Sequence, residues 1–283
     1  MATAASTAAS TAAGPSAAPA GQGVGPLLRA WRERRRVSQL ELALRADSSA
    51  RHISFVETGR SRPSEEMVLR LAEHLEVPVR ERNALLLAAG YAPRYPETPL
   101  DDPALDAVRA GMERLIQGYE PYPALVVDAL YDVRAANRGI TMLLEGVPEE
   151  LLAPPLNAMR LTLHPRGLAP RIRNLREWRG HLLAQMERQI ALHRSAALRA
   201  LYEEVAAYPV PEEAGADRPD ADDPPYPYFA LPLLIEHDGR VLSFVSSIST
   251  FNTPMDVTVA ELAIETFLPA DPATVKYLQS LSF

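Results

Sequence analysis

The sequence predicts an α+β protein in which an all-α domain is followed by an α/β domain. Three observations carry this. Between residues 25 and 91, apolar residues recur at helical spacing and are punctuated by Ser residues suited to capping helices. From Ala124 onward the pattern shifts to short β-branched runs separated by turns. Late in the chain, Asp238-Gly239 sits between two such runs, the strongest short hairpin signal. A chain of 283 residues with 47% hydrophobic content is long enough for two cores. The expected division is a tail over 1–24, a helical domain over 25–91, a linker over 92–104 and an α/β domain over 105–283.

Residues 1–24 are dominated by Ala, Ser, Thr, Pro and Gly and carry no charge. They lack the basic start and Leu-rich middle of a secretory signal and read as a disordered tail. No stretch approaches the roughly 20 apolar residues of a membrane-spanning helix, so no membrane partner is expected. The absence of Cys removes disulfides, thiolate nucleophiles and Cys-based zinc sites together and fits a cytoplasmic protein. No metal site or cofactor is expected. Nor is an enzyme: no G-x-S-x-G, H-E-x-x-H or P-loop pattern occurs. Glu177 and His181 stand four apart and read as a surface pair on a helix.

The net charge of −7 is unevenly distributed. Residues 25–91 hold 12 Arg against 9 acidic side chains, and within them residues 27–62 hold 9 Arg against 4 acids. The remainder, residues 92–283, holds 17 basic and 27 acidic side chains. A basic N-terminal region on an acidic protein is an electrostatic footprint for phosphate. Lys276 is the one lysine, so part of the Arg excess is a general bias of the chain.

Leu27, Leu28 and Trp31 give a first helix, ending near Arg36, its apolar stripe. Ser38-Gln39-Leu40-Glu41 has the spacing of a capping box and starts a second helix through Leu42, Ala43 and Ala46. Asp47 suits the turn because Asp tolerates left-handed backbone. Ser49 caps a third helix with Ile53 and Val56 inward and Gly59 closing it. Pro63-Ser64 opens a fourth, with Val68, Leu71, Ala72 and Leu75 inward.

Ser38-Gln39 to Ala43, Ile53-Ser54, Val56-Glu57, Gly59, Pro63-Ser64, Leu71-Ala72 and Leu75 with Val77 together resemble the XRE family of Cro/C1-type helix-turn-helix proteins over about residues 26–81. The resemblance implies a regulator bound to double-stranded DNA as a homodimer, its third helix in the major groove. It implies that Ala50, Arg51 and Ser54 face bases with Phe55 at the groove edge, and that Gln39, Ser49, Arg60 and Arg62 meet phosphate. Arg51 is the expected direct reader, since a guanidinium can bond guanine O6 and N7 together. Ala50 and Asp47 depart from residues common in the family, so the operator is not legible. Glu57 is expected inward, paired with a basic side chain among Arg34–Arg36. His52 reads as a packing or phosphate residue.

Downstream, Asp106–Gln117 reads as a helix with Leu105, Val108, Met112 and Leu115 on one side, a connector or dimer contact. Ala124–Asp128 and Asp132–Ala136 read as strands, with Asn137 capping a helix to Leu144. Residues 171–208 read as helical throughout, 212–227 as an acidic Pro-rich loop, Phe229–Glu236 with Arg240–Thr250 as a hairpin, Glu261–Leu268 as a strand and Asp271 as the start of a final helix.

Glu120-Pro-Tyr-Pro-Ala-Leu-Val-Val-Asp, Asn157-Ala-Met-Arg-Leu, Ser249-Thr-Phe-Asn-Thr-Pro-Met-Asp-Val-Thr and Phe267-Leu-Pro-Ala-Asp resemble the MmyB-like ligand-binding domain over about residues 105–280. The implied architecture is an all-α helix-turn-helix domain followed by a PAS-like α/β sensor domain. Its ligand is implied to be small and hydrophobic, of fatty-acid-like kind. Leu125, Val127, Trp178, Leu182, Phe244 and Phe251 are the expected pocket residues, and Arg160 and Asn174 the expected partners of a polar head. Each also fits plain core or solvated surface. The rival functional reading is a helix-turn-helix used only for protein interaction, without operator control.

Overall fold

In the computed structural model, which describes residues 23–193, 195–210 and 230–281, the chain opens with five helices. They are α1 (Val24–Arg34), α2 (Gln39–Arg45), α3 (Ala50–Glu57), α4 (Glu65–His74) and α5 (Val79–Ala88). Ser38, Ser49 and Ser64 start α2, α3 and α4 by accepting hydrogen bonds from the backbone N–H groups of Glu41, His52 and Met67 at 3.0, 3.1 and 3.2 Å. The reciprocal half of the capping box does not form, because the Glu41 carboxylate pairs with Arg45 one turn on. Asp47 takes a left-handed φ of 49° between α2 and α3, and Gly59, at 73°, closes α3.

Leu28, Trp31, Leu42, Ile53, Val56, Val68, Leu71 and Leu75 are buried together, each worth about 1.5–3 kcal/mol when withdrawn from water. Leu27 is only half-buried. Gly25 allows α1 to cross close over the end of α3: a Cβ there would lie 2.4 Å from the Val56 carbonyl oxygen. The tail expected over 1–24 lies outside the described residues as far as residue 22, and α1 starts at Val24.

Internal contacts divide the described residues into two units. One contains the residues up to Leu75 with Ala84–Tyr91; the other contains Glu76–Asn83 with the residues from Ala92. In the second unit the expected linker stretch is hydrogen-bonded along its length. Asn83 Oδ1 accepts from the N–H groups of Arg94 and Tyr95, the Val257 N–H donates to Pro96, and the Thr98 N–H donates to Asp256.

The second unit is built on a five-stranded antiparallel sheet of order β2-β1-β5-β4-β3. Its strands are β1 (Ala124–Val127), β2 (Val133–Ala136), β3 (Leu233–His237), β4 (Arg240–Thr250) and β5 (Ala263–Pro269). The β3–β4 hairpin turns on Asp238 and Gly239, both at positive φ, as its two-residue length requires. β3 begins at Leu233 rather than near Phe229, and Phe229 and the loop expected over 212–227 fall outside the described residues. β5 begins two residues later than expected, because Asp256 caps a short helix that occupies the approach to it.

Helix α6 (Asp106–Gln117) lays Met112 and Ile116 on one face of the sheet against Ala124, Val126, Leu262 and Ile264. Leu115, expected on the inward stripe, is 47% exposed, and Ile116 takes its place. The helix expected as a connector or dimer contact forms a layer on this face of the sheet.

The opposite, inner face is covered by α7 (Arg138–Leu143), α9 (Ala158–Leu163), α10 (Leu175–His193) and α11 (Ala196–Ala206), while the short α8 (Glu149–Leu152) between α7 and α9 buries no residue. Asn137 caps α7 as expected and does more. Its amide NH₂ donates to the carbonyls of Ile116 and Tyr122, and its Oδ1 accepts from Ala124. The stretch read as one helix over 171–208 is two, because Ser195 starts a new one by accepting from the Leu198 N–H. Completing the chain are α12 (Val257–Ala260) and α13 (Pro272–Ser280), the latter capped by Asp271.

Candidate functional site

The outward face of α3 gathers most of the residues expected at DNA. Ile53, Val56 and Glu57 are buried, which turns Arg51, Ser54 and Phe55 the other way at i, i+3 and i+4. The guanidinium carbons of Arg51 and Arg60 lie 5.2 and 5.9 Å from the centre of the Phe55 ring. Phe55 therefore holds two cations, one from the helix and one from the loop after it. That loop is pinned by the N–H groups of Arg60 and Ser61, which both donate to the Phe55 carbonyl, at 2.8 and 3.1 Å. Ser49 and Ala50 stand at the N-terminal end of the same helix, Ser49 as its cap.

Two expected phosphate residues are engaged within the domain. Gln39 donates an amide hydrogen to Glu57 at 2.8 Å. Arg62 donates to the carbonyls of Ala89 and Gly90 and stacks 5.2 Å from Tyr91. Glu57 is inward, as expected, but its partner is Arg32 rather than Arg34–Arg36. The Arg32 Nε and Nη2 donate to its two carboxylate oxygens at 2.6 and 2.9 Å. The reason is helical phase: Arg32 follows the buried Leu28 by four residues, so its stem runs along the packed stripe. Arg34 instead lies 4.2 Å over the Trp31 ring, and Arg35 donates to the Leu75 carbonyl.

In the second unit, Leu125, Val127, Trp178, Leu182 and Phe244 all join one apolar cluster on the inner face of the sheet. Phe251 does not join it. It stands beyond the covered part of β4 and borders a shallow open depression of about 340 Å³ with Thr253, Pro254, Met255 and Val259. The two polar candidates are occupied elsewhere. Arg160 forms a bidentate pair with Glu204, both bonds at 2.7 Å, on the surface. Asn174 is buried but donates to the Pro232 carbonyl at 2.7 Å and accepts from the Leu234 N–H at 3.1 Å, which ties α10 to β3.

Comparison with known families assigns both parts. Residues 108–281 match the family described as MmyB-like transcription regulator ligand binding domain, and residues 28–82 match a helix-turn-helix family. The chain belongs to the MmyB-like transcription regulators. A comparison with curated proteins returns no match. The MmyB-like regulator is thus a transcriptional regulator with a helix-turn-helix region and a ligand-sensing domain, and neither matched family is described as catalytic. Among its described residues, no helix is long and apolar enough to cross a membrane.

No motif in the chain singled out a polar group on the regulator's inner face, yet one is there. Glu265 of β5 accepts a hydrogen bond from Ser246 Oγ at 2.7 Å, and burial pushes its pKa above the usual carboxylate range. Tyr131 stands nearby; burial, opposed by a hydrogen bond from Gln185, pushes its pKa up to about 12. His181 stacks on Trp178 with ring centres 5.5 Å apart, its pKa lowered by burial and then by Arg188. The period-2 phase of β5 would have placed Glu265 beside Ala263 and Phe267, but only once the inward face was known.

Proposed function

We propose that this regulator reads specific double-stranded DNA as a homodimer and that its C-terminal domain binds a small hydrophobic, fatty-acid-like ligand. The observation that carries the DNA reading is the outward face of α3, where Arg51 and Arg60 flank Phe55. In this reading Arg51 bonds a guanine edge, Ala50 and Ser54 face neighbouring bases, and Ser49 and Arg60 meet phosphate. Gln39 reaches phosphate with the amide hydrogen that Glu57 leaves unused. Two copies would present their third helices to half-sites about 34 Å apart. The inner-face cluster of Leu125, Val127, Trp178, Leu182 and Phe244 supports an apolar ligand. Ligand alters DNA affinity to the extent that it binds the two DNA-affinity states unequally.

The test is Arg51→Ala, titrated against a bound genomic fragment and against random duplex. Loss of about 1–3 kcal/mol on the fragment, with little change on random DNA, supports direct readout. Equal affinity of wild type and variant on both duplexes would favour a helix-turn-helix used for protein contacts alone.

A further inference from the structure

Strand β4 outruns one of its neighbours. β3 pairs with it from Arg240 to Phe244, and β5 pairs with it from Phe244 to Thr250. Residues 245–250 therefore have a strand on one side only among the described residues, and residues 247–250 are exposed. Ile248 is 48% exposed, and Phe251, just past the strand, is exposed as well. The Ser243 carbonyl accepts from the Ala270 N–H and the Ser247 carbonyl from the Thr266 hydroxyl, both on the β5 side. Successive residues of a strand aim their backbone groups to opposite sides, so Ser246, Ile248 and Thr250 present theirs to the side that β3 leaves uncovered.

Such an edge is a template for another chain unless a charge, a proline, a bulge or a covering element blunts it. Residues 241–255 carry no charged side chain, in a chain that is 23% charged, and the first proline after β3 is Pro254, beyond the strand. The register with β5 is unbroken from Phe244 to Thr250, whereas that between β1 and β2 shifts. Exposure of residues 247–250 shows that no layer covers them.

Charge and symmetry identify the partner. Two copies of a chain with net charge −7 repel except where neutral surfaces meet, and this strip is neutral. An antiparallel pair of identical strands is self-complementary about a two-fold axis normal to the sheet. That rotation keeps each face of the sheet on its own side, so opposed residues share a face. The register centred on Ile248 satisfies this and sets Ile248 opposite Ile248 on one face and Val245 opposite Phe251 on the other, apolar against apolar. Ser246 then lies opposite Thr250 and Ser247 opposite Ser249.

We propose that residues 245–251 form a two-fold symmetric antiparallel pair between two copies of this chain, joining the two five-stranded sheets through β4. This rests on the homodimer reading above and gives that dimer its surface.

The experiment measures self-association of the full-length protein by analytical ultracentrifugation. Wild type is expected to dimerise. Ile248→Lys places two ammonium groups opposite each other on the axis and should weaken the dimer by about tenfold or more. Because the chain contains no Cys, single-cysteine variants read the register. Opposed residues in a hydrogen-bonded pair have Cα atoms about 5.5 Å apart, within the roughly 4.4–6.8 Å that a disulfide spans. Mild oxidation should therefore turn Ile248→Cys into a covalent dimer. Leu268→Cys, exposed but one strand away on β5, should stay uncrosslinked.

Undiminished association of Ile248→Lys, or no more disulfide in Ile248→Cys than in Leu268→Cys, would overturn this interface while a dimeric wild type kept the homodimer reading standing. A wild type that stays monomeric both free and on a genomic fragment that it selects would overturn the two together.

Discussion

Replacing Glu57 with Ala should break a buried ion pair of the helix-turn-helix unit without touching its apolar core. The Glu57 side chain is 3% exposed and that of Arg32 11%, and the Arg32–Glu57 contact is bidentate at 2.6 and 2.9 Å. Gln39 adds a third hydrogen bond, and Arg32 also donates to the Val37 carbonyl. Removing the carboxylate leaves a mostly buried guanidinium with the Val37 carbonyl as hydrogen-bond acceptor and the largely exposed Glu33 carboxylate 3.9 Å away, which costs about 3–5 kcal/mol. Against a total stability of about 5–15 kcal/mol, that is a large fraction.

The two Trp residues allow the measurement to be local: in a Trp178→Phe background, Trp31 alone reports the first unit during urea unfolding. Replacing both partners, as Arg32→Met with Glu57→Leu, should recover stability to within about 1 kcal/mol of the parent, since the pair's attraction largely offsets its own desolvation. A loss below about 1 kcal/mol for Glu57→Ala, or a double variant no better than the single one, would refute the reasoning.

Phe55→Leu keeps the bulk of the side chain but removes the ring under Arg51 and Arg60, and should weaken DNA binding by about 0.5–1 kcal/mol per cation, read by fluorescence anisotropy; unchanged affinity would show that both arginines position themselves. Asn137→Ala should cost about 2–4 kcal/mol in the second unit, because it strands the Ile116 and Tyr122 carbonyls and the Ala124 N–H together, a loss seen as a lower unfolding midpoint. Arg80→Ala breaks ion pairs with Glu261 and Glu97 and should lower the second unit's stability by about 1–3 kcal/mol in the same assay. The Arg160 guanidinium holds the Glu204 carboxyl below its usual pKa, with Tyr208 assisting. A depressed folded-state pKa gives stability that is present above the unfolded value near 4.5 and lost as pH falls through the lowered one. The difference in thermal midpoint between wild type and Glu204→Gln should accordingly vanish in acid, and a difference independent of pH would contradict the pairing.

What could be read from the sequence was local. Ser38, Ser49, Ser64, Asn137 and Asp271 cap helices where their short side chains can reach a backbone N–H two or three residues ahead, and Asp238-Gly239 turns because both positions require positive φ. What escaped was set by contacts distant in the chain. The choice of Arg32 for Glu57 depends on how α1 crosses α3. The exchange of Leu115 for Ile116 depends on the rotation of α6 against the sheet, since neighbouring residues differ by about a quarter-turn. Asn174 and Arg160 are polar residues whose partners lie 58 and 44 positions away, so nothing local distinguished a structural role from a ligand contact. Glu265 was hidden for the same reason. Arg51, Ser54 and Phe55 were legible because the buried side of an eight-residue helix fixes its exposed side.

The most direct test of a DNA-reading regulator is selection of bound fragments from genomic DNA by the purified protein at about 150 mM salt, where non-specific phosphate attraction is weakened. The account predicts recovery of a two-fold symmetric motif whose half-sites are spaced by about one helical turn. Recovery of fragments with no shared sequence, bound no better than random duplex, would contradict it.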